Sequence, residues 1–356
     1  MDTKMVTIDR ASFHQSELRE AGRILREGGL VAFPTETVYG LGGNALDATA
    51  AARIYAAKGR PSDNPLIVHI AEIADMEALA AEVPEAAYRL AERFWPGPMT
   101  MILKKKELVP MATTGGLSTV AIRLPSDEIA RALIRESGCY IAAPSANASG
   151  RPSPTTAAHV AEDLGGRIEM ILDGGACQIG LESSILDLSG EQPMILRPGF
   201  LTKEDFEAVI QGVEYDRAVL ARQPQECVVA KAPGMKYRHY APKGQIYIVE
   251  GERKAVIRKI NALAAEQERR GIRTAVLCTE ETKEAYQCAH VVSLGALSGE
   301  TEISAHLFAA LRSFDTEQIA VIYSESFEHT RLSGAIMNRL RKAAGYQTIS
   351  AEKAEG

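Results

Sequence analysis

Residues 34–69 constrain this chain more than any other stretch. They read PTETVYGLG from Pro34, KGRPSDNPL from Lys58, and then His69. Two hydroxyls, a lysine, an arginine, an amide and a histidine fall on short turns between apolar runs. Leu30–Phe33 is a short buried strand ended by Pro34. Ser16 can cap a helix over 17–27 that stops at Gly28-Gly29. Asp47 caps a second helix over about 48–58, closed by Gly59, and 66–70 forms the next strand. Groups of these types on turns between strands can hold a polyanion beside a small zwitterion.

The same habit recurs downstream. Helix signals come near 84–94, 127–136 and 155–164. Strand signals come near 99–104, 119–124, 139–143, 168–172, 183–188 and 193–196. Strands outnumber helices without strict alternation, which predicts a mixed, twisted α/β sheet and not a regular parallel one. Residues 211–244 hold few apolar runs and read as an extended connector. From Gln245 the pattern is regular, with strands over 245–250, 273–278, 290–293 and 318–323 and helices over 252–270, 301–313 and 330–344. It predicts a small α/β domain with a parallel sheet. The resulting divisions are 1–210, a linker 211–244, 245–350 and a tail 351–356.

A chain of 356 residues is long enough for two domains. No apolar run approaches the ~20 residues of a membrane span, and the polar N-terminus shows no secretory signal. Five scattered cysteines with no CxxC pair read as reduced thiols in a cytoplasm, not a disulfide frame or zinc site. A net charge of −6 argues against a protein that coats nucleic acid.

Several signatures are excluded. GxxxxGK[ST], HExxH and GxSxG do not occur. Gly40–Ala45 matches GxGxxA, but Thr35, Glu36 and Thr37 separate it from the strand that should precede it directly, so the glycines read as a sharp turn. Lys58 and Arg60 flank a helix C-terminus, where cations are favoured without any ligand. Pro61, Pro65 and Asn64 turn the same loop into a rigid phosphate cradle. Thr119 and Arg123 share a face at period two, and an arginine facing a core requires a carboxylate, internal or from a ligand. Ser145, Ser153, Ser183 and Arg197 also stand near strand termini, which suggests a common cleft.

Taken in order, PTETVYGLG, KGRPxxNPL, STVAIR, PSAN, ESSILDL and LRPG resemble the YrdC-like domain of threonylcarbamoyl-AMP synthases. The linker APGMKYRHYAP and the small domain after it resemble the two-domain form, so nearly the whole chain is covered. Ser184 and Ala232 are slight departures, standing where threonine and serine are commoner. The resemblance implies a YrdC-like twisted mixed sheet around a concave basic cleft and a smaller Rossmann-like α/β domain. It implies synthesis of threonylcarbamoyl-AMP from L-threonine, bicarbonate or CO2, and ATP for tRNA t6A modification, with release of pyrophosphate. Thr37, His69, Arg123, Ala143 (through its backbone) and Ser183 would hold threonine. Lys58, Arg60, Asn64, Thr119, Ser145, Ser153 and Arg197 would hold ATP, with Lys58 and Arg60 as the catalytic cations. Mg2+ would come bound mainly through the ATP phosphates, with no metal ligands of the protein's own. Tyr237, Arg238, His239 and Tyr240 would gate the site. A downstream t6A transferase complex would take the intermediate, with no membrane and no stable nucleic-acid complex involved. Two other readings are an RNA-binding module of the same fold without catalysis, and a carbamoyl-phosphate enzyme related to hydrogenase-maturation proteins.

Overall fold

A computed structural model describes residues 2–220, 230–235, 239–328 and 330–351. The chain divides into two compact units. The first contains the described residues of 1–149, 153–221 and 225–237, and the second those of 150–152, 222–224 and 238–356.

Among the described residues the first unit holds one sheet of eleven strands. They are β1 (Lys4–Thr7), β2 (Val31–Phe33), β3 (Gly40–Asn44), β4 (Ile67–His69), β5 (Met99–Lys104), β6 (Thr119–Arg123), β7 (Ile141–Ala143), β8 (Met170–Asp173), β9 (Ser184–Asp187), β10 (Met194–Arg197) and β11 (Glu214–Tyr215). Their order is β1-β8-β2-β3-β7-β4-β6-β5-β9-β10-β11. Parallel pairs (β1 with β8, β4 with β6, β5 with β9) mix with antiparallel ones (β2 with β3, β3 with β7, β4 with β7, β5 with β6). This is the mixed α/β sheet that the pattern predicts.

Both sheet faces are covered. On one, Ala32, Leu41, Val68, Met101, Ile122 and Ala142 belong to a core that includes residues of helices Ala48–Lys58, Glu85–Phe94 and Ala157–Leu164. On the other, Val31, Phe33, Ile141, Ala143 and Met170 pack with residues of helices Arg19–Arg26 and Glu128–Ser137. Farther along that second face, Ile67, Ile102, Ala121, Ile185 and Leu196 are clustered with Ala232, and Met235 packs against them.

Local chemistry sets the helix ends. Asp47 accepts from Thr49 N at the start of Ala48–Lys58, and Gly59 closes it at φ 66°. The left-handed conformation suits glycine and stops the helix with Lys58 at its last position.

Three sequence expectations need correction. Gly40–Asn44 is strand β3 and not a free turn. A Cβ on Gly42 would lie 2.7 Å from Ile141 Cγ2 and 2.9 Å from Phe33 Cε1. The glycine is needed for close approach of β2 and β7 to β3, not for a special φ. Second, the segment 211–244 is not all connector, because Glu214–Tyr215 pairs with β10. Third, Ser16 does not cap the first helix: it lies inside a 3-10 turn over Gln15–Leu18, and the α-helix runs over Arg19–Arg26. The mostly exposed edge strand β1, paired to β8, carries no apolar alternation that would reveal it in the sequence.

In the second unit, β12 (Gln245–Glu250), β13 (Thr274–Cys278), β14 (His290–Ser293), β15 (Val321–Glu325) and β16 (Thr348–Ser350) form a sheet of five strands, all parallel, ordered β14-β13-β15-β12-β16. Helices Arg253–Arg269, Glu300–Thr316 and Ser333–Ala343 connect them. The strand order is this unit's own and differs from the 3-2-1-4-5-6 order of dinucleotide-binding sheets.

Replacing Gly42 with Ala should destabilise the first unit by ~1–3 kcal/mol, the usual effect of overpacking a core. A urea midpoint equal to that of the parent chain would show that β2 and β7 can yield at no cost.

Candidate active site

Strand direction sorts the predicted residues into two groups. β4 and β6 run together and β7 runs against β4. The loop before β4, the start of β6 and the turn after β7 therefore share one end of the sheet. That end carries Arg60, Asn64, Thr119 and Ser145. The opposite end carries His69 beside Arg123 in register, and Thr100 opposite Arg123 from β5. Ser183 precedes β9 there, and Arg197 closes β10. From Thr119 to Arg123 is four steps on one face, about 13 Å.

At the first end Lys58 is buried. Its Nζ donates to the Ser145 carbonyl, and to the Asn147 carbonyl at 2.6 Å. Ser145 Oγ donates to Asn147 Oδ1 at 2.5 Å. Lys58 therefore ties the turn after β7 to the helix end. Arg60 Nη2 donates to Pro65 O at 3.1 Å and to Asn64 O at 3.3 Å, while Tyr55 OH donates to Asn64 O at 3.2 Å. These bonds draw the loop before β4 around its own cation. Asn64 Oδ1 is buried with no hydrogen-bond partner among the described residues.

At the other end Arg123 is 4% exposed. Its Nη2 lies 2.8 Å from Glu36 Oε1 and 3.5 Å from Thr35 Oγ1. The charge contact with Glu36 is close but off the hydrogen-bonding axis, and both Glu36 oxygens and Arg123 Nε have no hydrogen bond among the described residues. Thr37 Oγ1 is 2.8 Å from Thr35 Oγ1, which itself donates to Val38 O at 2.7 Å. A polar chain continues from Thr100 Oγ1, 2.7 Å from Ser183 Oγ, to Arg197 Nη2, which donates to Ser183 Oγ at 3.1 Å. Arg197 Nε donates to Ser183 O at 3.0 Å and Nη1 to Pro233 O at 3.5 Å. Ser153 Oγ donates to Glu182 Oε1 at 2.5 Å. Arg197, expected with the ATP set, thus lies with Ser183 of the threonine set. Ala143 lies at the other end of β7 from Ile141, beside Ile67.

His69 is buried beside this cation. Its Nδ1 is 3.2 Å from Ile67 O, and its ring meets Phe33 edge-on at 6.0 Å. Burial first, and the Arg123 charge second, lower its pKa from 6.5 to about 3. The imidazole is therefore neutral at physiological pH and adds no second positive charge next to the guanidinium.

Of the linker residues, Tyr237 and Arg238 lie outside the described residues. His239 and Tyr240 belong to the second unit, where Tyr240 is buried and stacks on Phe308 at 5.1 Å. Sequence reasoning missed four members of the network, Glu36, Thr100, Asn147 and Glu182. Three of them lie inside the motifs already singled out, Glu36 and Glu182 one residue from a predicted contact and Asn147 two residues from Ser145. A buried arginine calls for a carboxylate, and Glu36 is an acid of the same motif set. Thr100 has no local signal and is found only through its register with Arg123.

A two-unit α/β chain with such a cation-bearing sheet face has close counterparts. A family model described as Telomere recombination matches residues 23–199, and one described as Threonylcarbamoyl-AMP synthase, C-terminal domain, matches residues 201–345. Threonylcarbamoyl-AMP synthase of Pyrococcus abyssi is 51% identical over 96% of this chain and 97% of its own. That of Bacillus subtilis is 49% identical over 96% of each. The crystal structure of P. abyssi Sua5 complexed with L-threonine superposes with a TM-score of 0.92 at 49% identity, covering 99% of this chain and 100% of that one. The chain belongs to the threonylcarbamoyl-AMP synthase family, and so to a family of enzymes. No helix among the described residues is long and apolar enough to cross a membrane.

The His69 shift has a measurable consequence. An unfolded histidine takes up a proton below about pH 6.5, whereas folded His69 stays neutral down to about pH 3. The unfolded state therefore binds more protons across that window. Stability from this group is complete above pH 6.5 and falls as acid is added. His69→Gln should lessen the acid-induced loss of stability by about 1.4 kcal/mol per pH unit, measured by urea unfolding between about pH 4 and 6.5. Identical slopes for the two proteins would mean that folded His69 does take a proton in that range.

Proposed function

We propose that this protein is a nucleotidyltransferase that makes L-threonylcarbamoyladenylate from L-threonine, bicarbonate or CO2, and ATP, releasing pyrophosphate. The observation that carries the reading is the two-ended sheet face. Arg123, His69, Ser183 and Arg197 stand about one strand length, roughly 13 Å, from Thr119 and the Lys58–Asn64 loop. An amino acid at one end and a triphosphate at the other would bring the new carbamate against the α-phosphorus between them. The full-length similarity to named synthases, and the L-threonine bound to P. abyssi Sua5, support the same substrates here.

The chemistry needs no covalent nucleophile from the protein. Once its ammonium has given up a proton to water, the threonine nitrogen attacks the carbon of CO2 as the neutral amine; a C–N bond forms as one C–O π bond opens, and a second N–H proton passes to water to give the carbamate. A carbamate oxygen then attacks the α-phosphorus as the bond to the β-phosphate oxygen breaks and pyrophosphate leaves. The side chains act through alignment and charge. Arg123 holds the amino-acid carboxylate, and neutral His69 borders it without competing for that anion. Thr37 and Ser183, with the Ala143 backbone, complete the threonine contacts. Lys58 and Arg60 hold the phosphates and stabilise the charge that develops on them, with Asn64, Thr119 and Ser145 beside them, while Ser153 and Arg197, bonded to Glu182 and Ser183, would reach ATP from the amino-acid end of the face.

Magnesium enters this proposal as a companion of ATP. Among the described residues no three His, Cys, Asp or Glu side chains come together as a metal-binding set. Ammonium and guanidinium groups cannot ligate a cation, so the ion would keep several waters and be held by the substrate phosphates that those groups contact. When bound, it neutralises charge on phosphate oxygens. The product is a labile mixed anhydride, so a t6A transferase complex must receive it before water does. The described cysteines are free thiols, in keeping with work in the cytoplasm.

Pyrophosphate release should require ATP, threonine and bicarbonate together, and release that persists without threonine or without bicarbonate would refute the reaction. Arg60→Ala should weaken ATP use by roughly 1.5–3 kcal/mol, the worth of a charge-assisted bond, seen as a raised KM for ATP. Unchanged ATP kinetics would remove Arg60 from the phosphate site. In competition, valine should be rejected more strongly than serine. A missing hydroxyl leaves buried polar groups unpaired, whereas a missing methyl is worth only ~1–3 kcal/mol. Equal rejection of both would argue against a pocket that reads the hydroxyl.

A further inference from the structure

We propose that Glu36 is a second reader of the amino acid, holding its ammonium group while Arg123 holds its carboxylate. This assignment rests on the proposed threonine site and names a residue that the sequence motifs alone did not assign to it. Glu36 is 6% exposed, yet its two oxygens make no hydrogen bond among the described residues. Among those residues its close charged neighbour is Arg123, with Nη2 at 2.8 Å and off axis, and Arg123 Nε is equally unbonded. A buried ion pair is stable only when its remaining donors and acceptors are satisfied. This pair leaves acceptors unused on the acid and a donor unused on the base.

The unused groups match one kind of ligand. An α-amino acid carries an acceptor carboxylate and a donor ammonium on the same carbon. Laid against the pair in opposite order, it supplies each partner with the group it lacks. Glu36 also lines a cavity of about 190 Å³ with Thr35, Arg10, Ser126, Asp127 and Gln178; Arg123 is not in that lining, so the amino acid would have to meet Glu36 from the Arg123 side. Arg10 is engaged by Asp127 and by the Gly174 carbonyl, so it is already occupied as a partner within that cavity. The backbone around Glu36 is fixed as well. Ile179 N donates to Glu36 O at 2.9 Å and Gly180 N to Thr37 O at 3.0 Å. The carboxylate is thus presented on a held segment, as a binding group should be.

The competing explanation is that Glu36 only neutralises Arg123. The two differ in what they say about the ligand's nitrogen. The experiment is calorimetric titration of the full-length parent, Glu36→Gln and Glu36→Asp chains with L-threonine and with 2,3-dihydroxybutanoate, which has a hydroxyl in place of the amine. The parent should prefer threonine strongly, because an ammonium–carboxylate bond is charge-assisted and a hydroxyl one is not. Glu36→Gln should lose about 10- to 100-fold in threonine affinity, change little toward the hydroxy acid, and leave the KM for ATP within about twofold, the phosphate-holding Lys58–Asn64 loop being at the other end of the strands. Glu36→Asp, which keeps the charge, should retain part of the preference. If Glu36→Gln weakens both ligands equally, or keeps the parent's preference, Glu36 is only a neutraliser and the assignment is wrong. If the parent itself fails to bind threonine, the proposed function falls first. Should Glu36→Gln not fold, an unchanged preference in Glu36→Asp together with an unchanged affinity for both ligands would overturn the assignment.

Discussion

The guanidinium of Arg123 is a charge placed inside a sheet, and much of the site is arranged around that fact. A buried cation without a counter-charge would cost several kcal/mol. The chain answers with Glu36, drawn from the segment between β2 and β3 to 2.8 Å from Nη2. That requirement helps fix the course of residues 34–39 over the sheet, and with them Thr35 and Thr37. The strands on either side of β6 bring up Thr100 and His69 in register with Arg123. Proximity of a fixed positive charge then adds to burial in keeping His69 neutral. One residue choice on one strand thus sets the charge state of its neighbours.

Short strands make this economical in space. β4 and β7 have three residues each, so the two sets of polar residues that flank them stand only about 13 Å apart along the strands. Two ligands bound at opposite ends of such strands must come close to touching. Gly42 helps keep the sheet this compact, since any side chain there would strike Ile141 and Phe33. Compactness in the sheet and closeness of the two proposed binding ends are the same property seen at two scales.

Much of this was legible in the sequence, and the failures have identifiable causes. Asp47 and Gly59 bound a helix whose limits, Ala48–Lys58, follow from capping chemistry alone. The mixed sheet followed from strands that outnumber helices. The identity of β3 did not, because glycines signal turns locally, and only the packing of β2 and β7 reveals why they sit in a strand. Glu36 stood inside a motif already judged important, yet its role depends on a partner 87 residues away on another strand. Thr100 is legible only through register. The division of the polar residues into two ends was hidden for the same reason. Order along the chain says which residues end strands, but the direction of each strand decides which end of the sheet they reach. Arg197 was assigned by motif to one ligand, and the antiparallel turn from β9 to β10 carries it to the other end.

The cations at the proposed nucleotide end show that structural and chemical roles need not compete. Lys58 is buried and bonded to the Ser145 and Asn147 carbonyls, and Arg60 to those of Asn64 and Pro65. Taken alone, each pattern explains its residue as a loop organiser at a helix end. Yet such bonds also fix where the positive charge stands before any ligand arrives. An anion that meets charges already held in place does not have to order two long, flexible side chains, each of which would otherwise lose ~2 kcal/mol of rotamer freedom. The folding of the loop and the readiness of the site are therefore one event. Loop bonds that look purely architectural are what a preorganised phosphate site requires.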